Sequence, residues 1–87
     1  MLENERKSID EIDRQLVALF EKRMHVTKKI AQVKSENQLP IYDAVREAAV
    51  IDKVIQYLTD DSLSEELSQF YVSLMNISKN YQEKTSK

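Results

Sequence analysis

Between Ile9 and Lys34 the residues Ile9, Ile12, Leu16, Leu19, Val26, Ile30 and Val33 recur at alternating steps of three and four. That is the repeat of an amphipathic helix laid against another helix. The chain has no glycine and one proline, Pro40, so the residues that usually punctuate strands and hairpins are missing and an all-α fold is expected. The first helix should run from about residue 4 to 36, with Glu3 and Glu5 near its positive end and Lys28, Lys29 and Lys34 toward its negative end. At 1.5 Å per residue it is ~45 Å long, whereas a compact chain of this length should be about 30 Å across. The helix therefore overhangs what its own chain can build. A second copy covering the overhanging seam, in an intertwined homodimer, is the expected remedy.

The remainder of the chain reads as two further helices in a single domain, 1–87. Asn37 is a plausible C-terminal cap, and Pro40 keeps Leu39 out of helical geometry. Asp43 stands where an N-cap belongs, before a second helix over about 44–59 that carries Val45, Ala48, Ala49, Ile51, Val54, Ile55 and Leu58 at helical spacing. After a turn at Asp60 and Asp61, Ser62 and Glu65 match a capping box. The third helix should span about 63–82, with Leu63, Leu67, Phe70, Tyr71, Leu74, Ile77 and Tyr81 on its apolar face.

Thirteen basic residues against fifteen acidic ones leave no global field to recruit nucleic acid or an anionic membrane. With no cysteine, a disulfide scaffold and a cysteine nucleophile are excluded, and with one histidine, His25, a catalytic zinc is not expected. No stretch resembles a signal peptide or a membrane span, so the cytoplasm is the expected location.

One residue breaks the seam. Arg23 lies midway between Leu19 and Val26, a fixed cation where the pattern asks for leucine. It either sets the register of a helical pairing or holds an anion. Lys34 follows eleven residues later, ~20° around the helix and ~16 Å along it, so both cations can reach one small dianion from its two ends. Arg6 is about 25 Å before Arg23 on the same helix, too far to share that ligand within one chain but able to reach a partner's site in an intertwined dimer. Asp43, Arg46 and Glu47 share the start of the second helix, as a binding cluster or a surface ion-pair group. Ser78 and Gln82 place small neutral donors one turn apart near the end of the third helix.

The ordered set of Arg6, Ile9–Asp13, Leu19–Arg23, Ile30–Lys34, Pro40–Glu47, Ser78 and Gln82 resembles the all-helical, AroQ-class chorismate mutases over nearly the whole chain, without gaps through Glu47. The resemblance implies intertwined dimers of three-helix chains and the rearrangement of chorismate to prephenate, on the route to phenylalanine and tyrosine, without cofactor or metal. It assigns Arg23 and the partner's Arg6 to the two substrate carboxylates with Ser78 assisting. Lys34 and Gln82 would address the ether oxygen, while Glu47 takes the ring hydroxyl beside Asp43, with Arg46 in support. Isochorismate-pyruvate lyases resemble the same pattern, and chorismate-mutase-like domains also serve as regulatory modules bound or fused to other shikimate-pathway enzymes. Those two readings, and a plain helical dimerisation module, stay open on sequence alone.

Overall fold

The computed structural model describes residues 1–86. Helix α1 covers Glu3–Glu36, α2 covers Ala44–Gln56 and α3 covers Ser64–Thr85, with a single 3-10 turn at Asp61–Leu63 before α3. There is no strand among the described residues. No helix among them is long and apolar enough to cross a membrane.

Helix α1 ends where Asn37 was expected to stop it. The Asn37 Nδ2 donates to the Val33 carbonyl at 2.8 Å. The left-handed residue, however, is the next one, Gln38, at φ 56°. Its N–H reaches the Ser35 carbonyl at 3.3 Å while the Leu39 N–H reaches that of Lys34 at 2.8 Å, the paired bonds of a Schellman ending. A non-glycine residue in that region costs roughly 1 kcal/mol or more, offset here by two carbonyls that would otherwise be unpaired.

Helix α2 starts as expected, with Asp43 Oδ1 accepting from the Arg46 N–H at 3.0 Å. It closes at Gln56, short of the expected 59, because the Tyr57 and Leu58 N–H groups each turn back three residues, to Val54 and Ile55. Such 3-10 bonds tighten a last turn and end it. The expected capping box at Ser62 and Glu65 does not form. Instead Asp60 is the cap: its Oδ1 accepts from the Ser62 N–H at 3.0 Å and from the Ser62 hydroxyl at 2.6 Å. Helix α3 consequently begins at Ser64, and it continues past the expected 82 to Thr85. There the hydroxyls of Thr85 and Ser86 cover the carbonyls of Tyr81 and Gln82.

Helix α3 packs against both α1 and α2. Its buried residues are Leu74, Met75, Ser78 and Gln82; those of α1 are Met24, Thr27 and Ala31; α2 contributes Val54. The buried stripe of α1 is therefore not the Ile9–Val33 seam, whose seven apolar residues are 44–60% exposed. Val45, Ala48 and Ala49 on α2, Leu63 in the 3-10 turn, and Phe70 and Ile77 on α3 also face outward, while Val50 and Met75 turn inward. Helical period was a sound guide to element type. It did not distinguish the stripe that α3 covers from the stripe that it leaves bare, since both recur at steps of three and four. The molecule is 54 Å long with a radius of gyration of 15.7 Å, against ~12 Å for a compact chain of this length.

Hydrogen bonds from the Ser62 hydroxyl and backbone hold the Asp60 carboxyl below the ordinary carboxylate range. The folded state thus binds this proton less readily than the unfolded chain, so the stabilisation is present above the unfolded value, ~3.9, and is lost as pH falls through the folded one. An Asp60→Asn variant keeps a capping oxygen and loses the charge. Urea midpoints of the two proteins should differ near pH 6, in favour of the wild type, and the gap should narrow as pH falls below ~3.9; a gap that does not change with pH would refute the assignment.

Candidate functional site

A cleft of about 230 Å3 lies between α1, the start of α2 and the C-terminal half of α3. It is somewhat below the ~300–1,000 Å3 usual for ligand sites, a size for one small metabolite. Its walls bring together Arg23, Lys34, Asp43, Arg46, Glu47, Ser78 and Gln82, seven of the eight candidates from the sequence. Ile30, Ile41, Val50 and Met75 supply apolar surface, and Lys79 adds a further cation.

The Arg23 guanidinium is half-buried and donates from Nη1 to the Ser78 hydroxyl at 3.0 Å. Ser78 Oγ in turn donates to the Leu74 carbonyl at 2.9 Å, so its lone pairs are turned toward Arg23. The Tyr71 ring centroid lies 5.9 Å from the guanidinium carbon, within cation–π range. None of the ion pairs among the described residues includes Arg23. The cation is thus held in place by neutral groups and keeps its charge for something else.

Lys34 is the second fixed cation. Its Nζ donates to the Ile41 carbonyl at 2.7 Å, which uses one of three N–H bonds and leaves two for the cleft. Asp43 has its Oδ1 engaged in starting α2, so it shapes the wall more than it offers charge. Glu47 pairs through Oε2 with the Lys79 ammonium at 3.0 Å, and that ammonium also sits 4.5 Å from the centroid of the Tyr42 ring. Gln82 is 7% exposed, and its Oε1 is buried with no hydrogen-bond partner. The cations Arg23, Lys34, Arg46 and Lys79 outnumber the carboxylates Asp43 and Glu47. Such a lining favours a small polyanion bearing a hydroxyl. No group of three or more His, Cys, Asp or Glu side chains is placed to hold a metal ion among the described residues.

Arg6 is the one candidate that the single chain does not bring to the cleft. It is exposed on α1 and does not line the cavity, which agrees with the ~25 Å of helix separating it from Arg23. Lys79 is the residue that sequence reading missed. Met75, Ser78, Lys79 and Gln82 form one helical stripe at steps of three and four, so the signal was available, but a lysine beside Ser78 looks like ordinary solvated surface.

The model of the family described as chorismate mutase type II matches residues 5–83. Among curated proteins, the chain is 31% identical over 62 residues to a protein of Methanocaldococcus jannaschii named chorismate mutase, covering 71% of this chain and 63% of that one. It is 40% identical over 50 residues to the T-protein of Haemophilus influenzae, covering 58% of this chain and 13% of that protein. To a bifunctional chorismate mutase/prephenate dehydratase of Aquifex aeolicus it is 35% identical over 51 residues, covering 59% of this chain and 14% of the relative. The match thus spans less than two thirds of the length of each of these relatives. No solved structure matches at comparable significance.

The unpartnered Gln82 oxygen is a liability for folding, since a buried acceptor without a donor costs about 1–3 kcal/mol. Gln82→Met keeps the shape and removes the polar atoms. Its urea unfolding free energy should rise by ~1 kcal/mol; a fall would mean that the amide is satisfied in the folded protein.

Proposed function

This chain belongs to the chorismate mutase type II family, and on that premise we propose that it rearranges chorismate to prephenate as an intertwined homodimer. The observation that carries the reading is the convergence of Arg23, Lys34, Arg46, Glu47 and Gln82 on one cleft, with Arg23 restrained by a hydroxyl and an aromatic ring and not by a carboxylate. In the reaction the ether C–O bond breaks as a new C–C bond forms within the same molecule. No proton, electron or group passes to the protein. The work of the site is to hold the folded conformer and to meet negative charge growing on the ether oxygen.

Arg23 takes one substrate carboxylate, and Ser78 acts by aiming it. The Lys34 ammonium, steadied by the Ile41 carbonyl, and the Gln82 amide face the ether oxygen, where a donor that strengthens in the transition state raises turnover. Glu47 accepts the ring hydroxyl, next to the helix start that Asp43 organises, and Arg46 adds positive potential at the same wall. Arg6 of the second subunit holds the remaining carboxylate. Support for the dimer comes from the bare seam of α1 and the 54 Å length of the chain. The likeness to part of a bifunctional protein supports association with a further enzyme of the same route, and a cytoplasmic location belongs to the same reading.

The test is turnover of chorismate by the purified protein, with the product identified and isochorismate run in parallel. Arg23→Ala and Arg6→Ala should each lower kcat by ~10²–10³ or more. Unfolding the two variants together and refolding them as a mixture should restore about a quarter of wild-type activity, because half of the dimers then carry one intact site of two. No recovery on mixing would remove the contribution in trans. A folded, dimeric wild type that leaves chorismate untouched would sink the mutase reading, and pyruvate from isochorismate would replace it with the lyase.

A further inference from the structure

Lys79 has no part in the mechanism above, yet its ammonium meets two other parts of the chain at the wall of the cleft. It stands on α3 between Ser78 and the outer wall, its side chain 25% exposed and that of Glu47 26%. Its Nζ bridges to Glu47 Oε2 at 3.0 Å and lies 4.5 Å from the Tyr42 centroid. One ammonium thereby touches α2, through Glu47, and the segment between α1 and α2, through Tyr42. Glu47 Oε1 has no protein partner among the described residues. The carboxylate, at the wall of the cleft, thus has one oxygen anchored and the other without a protein partner.

We propose that Lys79 is a positioning residue that aims the Glu47 carboxylate at the substrate hydroxyl, using Tyr42 as a backstop for its ammonium. The proposal rests on the mutase reading only for the identity of the hydroxyl. A free glutamate near the start of a helix samples several rotamers, and each costs orientation when one hydroxyl must be received at one place. An ion pair from across the cleft selects one of them. A solvent-accessible, half-buried single pair of this kind adds little to stability, so its consequence is expected in substrate binding, with the fold left intact. The Tyr42 face limits where the lysine head can go, and its cation–π attraction does not compete for the carboxylate.

Because Glu47 holds the hydroxyl in both ground and transition states, its misplacement falls mainly on KM. Lys79→Met should raise KM for chorismate ~10-fold, the loss expected from disordering one charge-assisted hydrogen bond, with kcat changed less than about threefold. Lys79→Arg should return most of the loss. In a Glu47→Gln background the same Lys79→Met change should alter kcat/KM by less than about twofold, since the residue it acts through is gone. Equal losses in the two backgrounds, or no rescue by arginine, would overturn the proposal. A second measurement separates it from the reading of function: the carboxyl carbon resonance of Glu47 should move on Lys79→Met in the ligand-free protein. A stationary resonance overturns the pairing whatever the turnover, whereas a wild type inactive toward chorismate, with a resonance that moves, overturns the mutase reading and leaves the aim of Glu47 standing.

Discussion

The hydrogen bond from Arg23 to Ser78 links the architecture of this molecule to its chemistry. It joins α1 to α3 at 3.0 Å, beside the buried contacts of Met24, Leu74 and Met75. A guanidinium in that position could have been neutralised by a carboxylate, in which case the pair would have served packing alone. Ser78 and Tyr71 hold it without cancelling its charge. The desolvation that this entails is a standing cost, and the cost is lowered when an anion arrives. Binding strength is thus built into the way the two helices meet.

The second constraint is length. Helix α1 extends beyond the reach of α2 and α3, so its N-terminal half has no neighbour in its own chain. Ile9, Ile12, Leu16 and Leu19 stand about half exposed there, and covering such side chains is worth on the order of 1 kcal/mol each. Within the chain the buried apolar residues are few: Met24, Ala31, Val54, Leu74 and Met75. A core of that size is marginal for a domain of this length. The same overhang that leaves the seam bare carries Arg6 away from its own cleft, so in the proposed dimer one partner would both cover the seam and supply the second arginine.

Much of this was legible in the sequence, for identifiable reasons. The boundaries of α1 followed from a long apolar period with Pro40 and Asn37 behind it, and the start of α2 from Asp43, because caps and breakers act locally. Arg23 was conspicuous as a charge inside an apolar repeat. Lys34 was tied to Arg23 by rotation per residue, Asp43, Arg46 and Glu47 were grouped at a helix start and Ser78 and Gln82 one turn apart, the family resemblance joined them, and the cleft collects all six. The capping box at Ser62 failed because Asp60, two residues upstream, accepts the Ser62 N–H that Glu65 would have taken, and holds the Ser62 hydroxyl as well. The direction of each buried stripe was not legible, since Met24–Thr27–Ala31 and the Ile9–Val33 seam have the same period and only tertiary packing chooses between them. Lys79 was overlooked for a related reason: its significance lies in Glu47 and Tyr42, which are remote in sequence.

The segment between α1 and α2 shows how these levels combine. It contains Pro40, whose ring fixes one backbone angle, and the left-handed Gln38, and a lysine on either side fastens it. Lys34 of α1 holds the Ile41 carbonyl, and Lys79 of α3 lies against the Tyr42 ring. Each of those ammonium groups also faces the cleft. The loop that closes one end of the site is therefore tied by the charges that line it, and a ligand drawing on Lys34 does so against an existing hydrogen bond. An ammonium has donors to spare, so the carbonyl can stay in place while the remaining N–H bonds turn to the ligand. Lysine suits this position better than arginine, whose planar fork would commit its donors to one plane and could not serve the loop and the ligand in different directions.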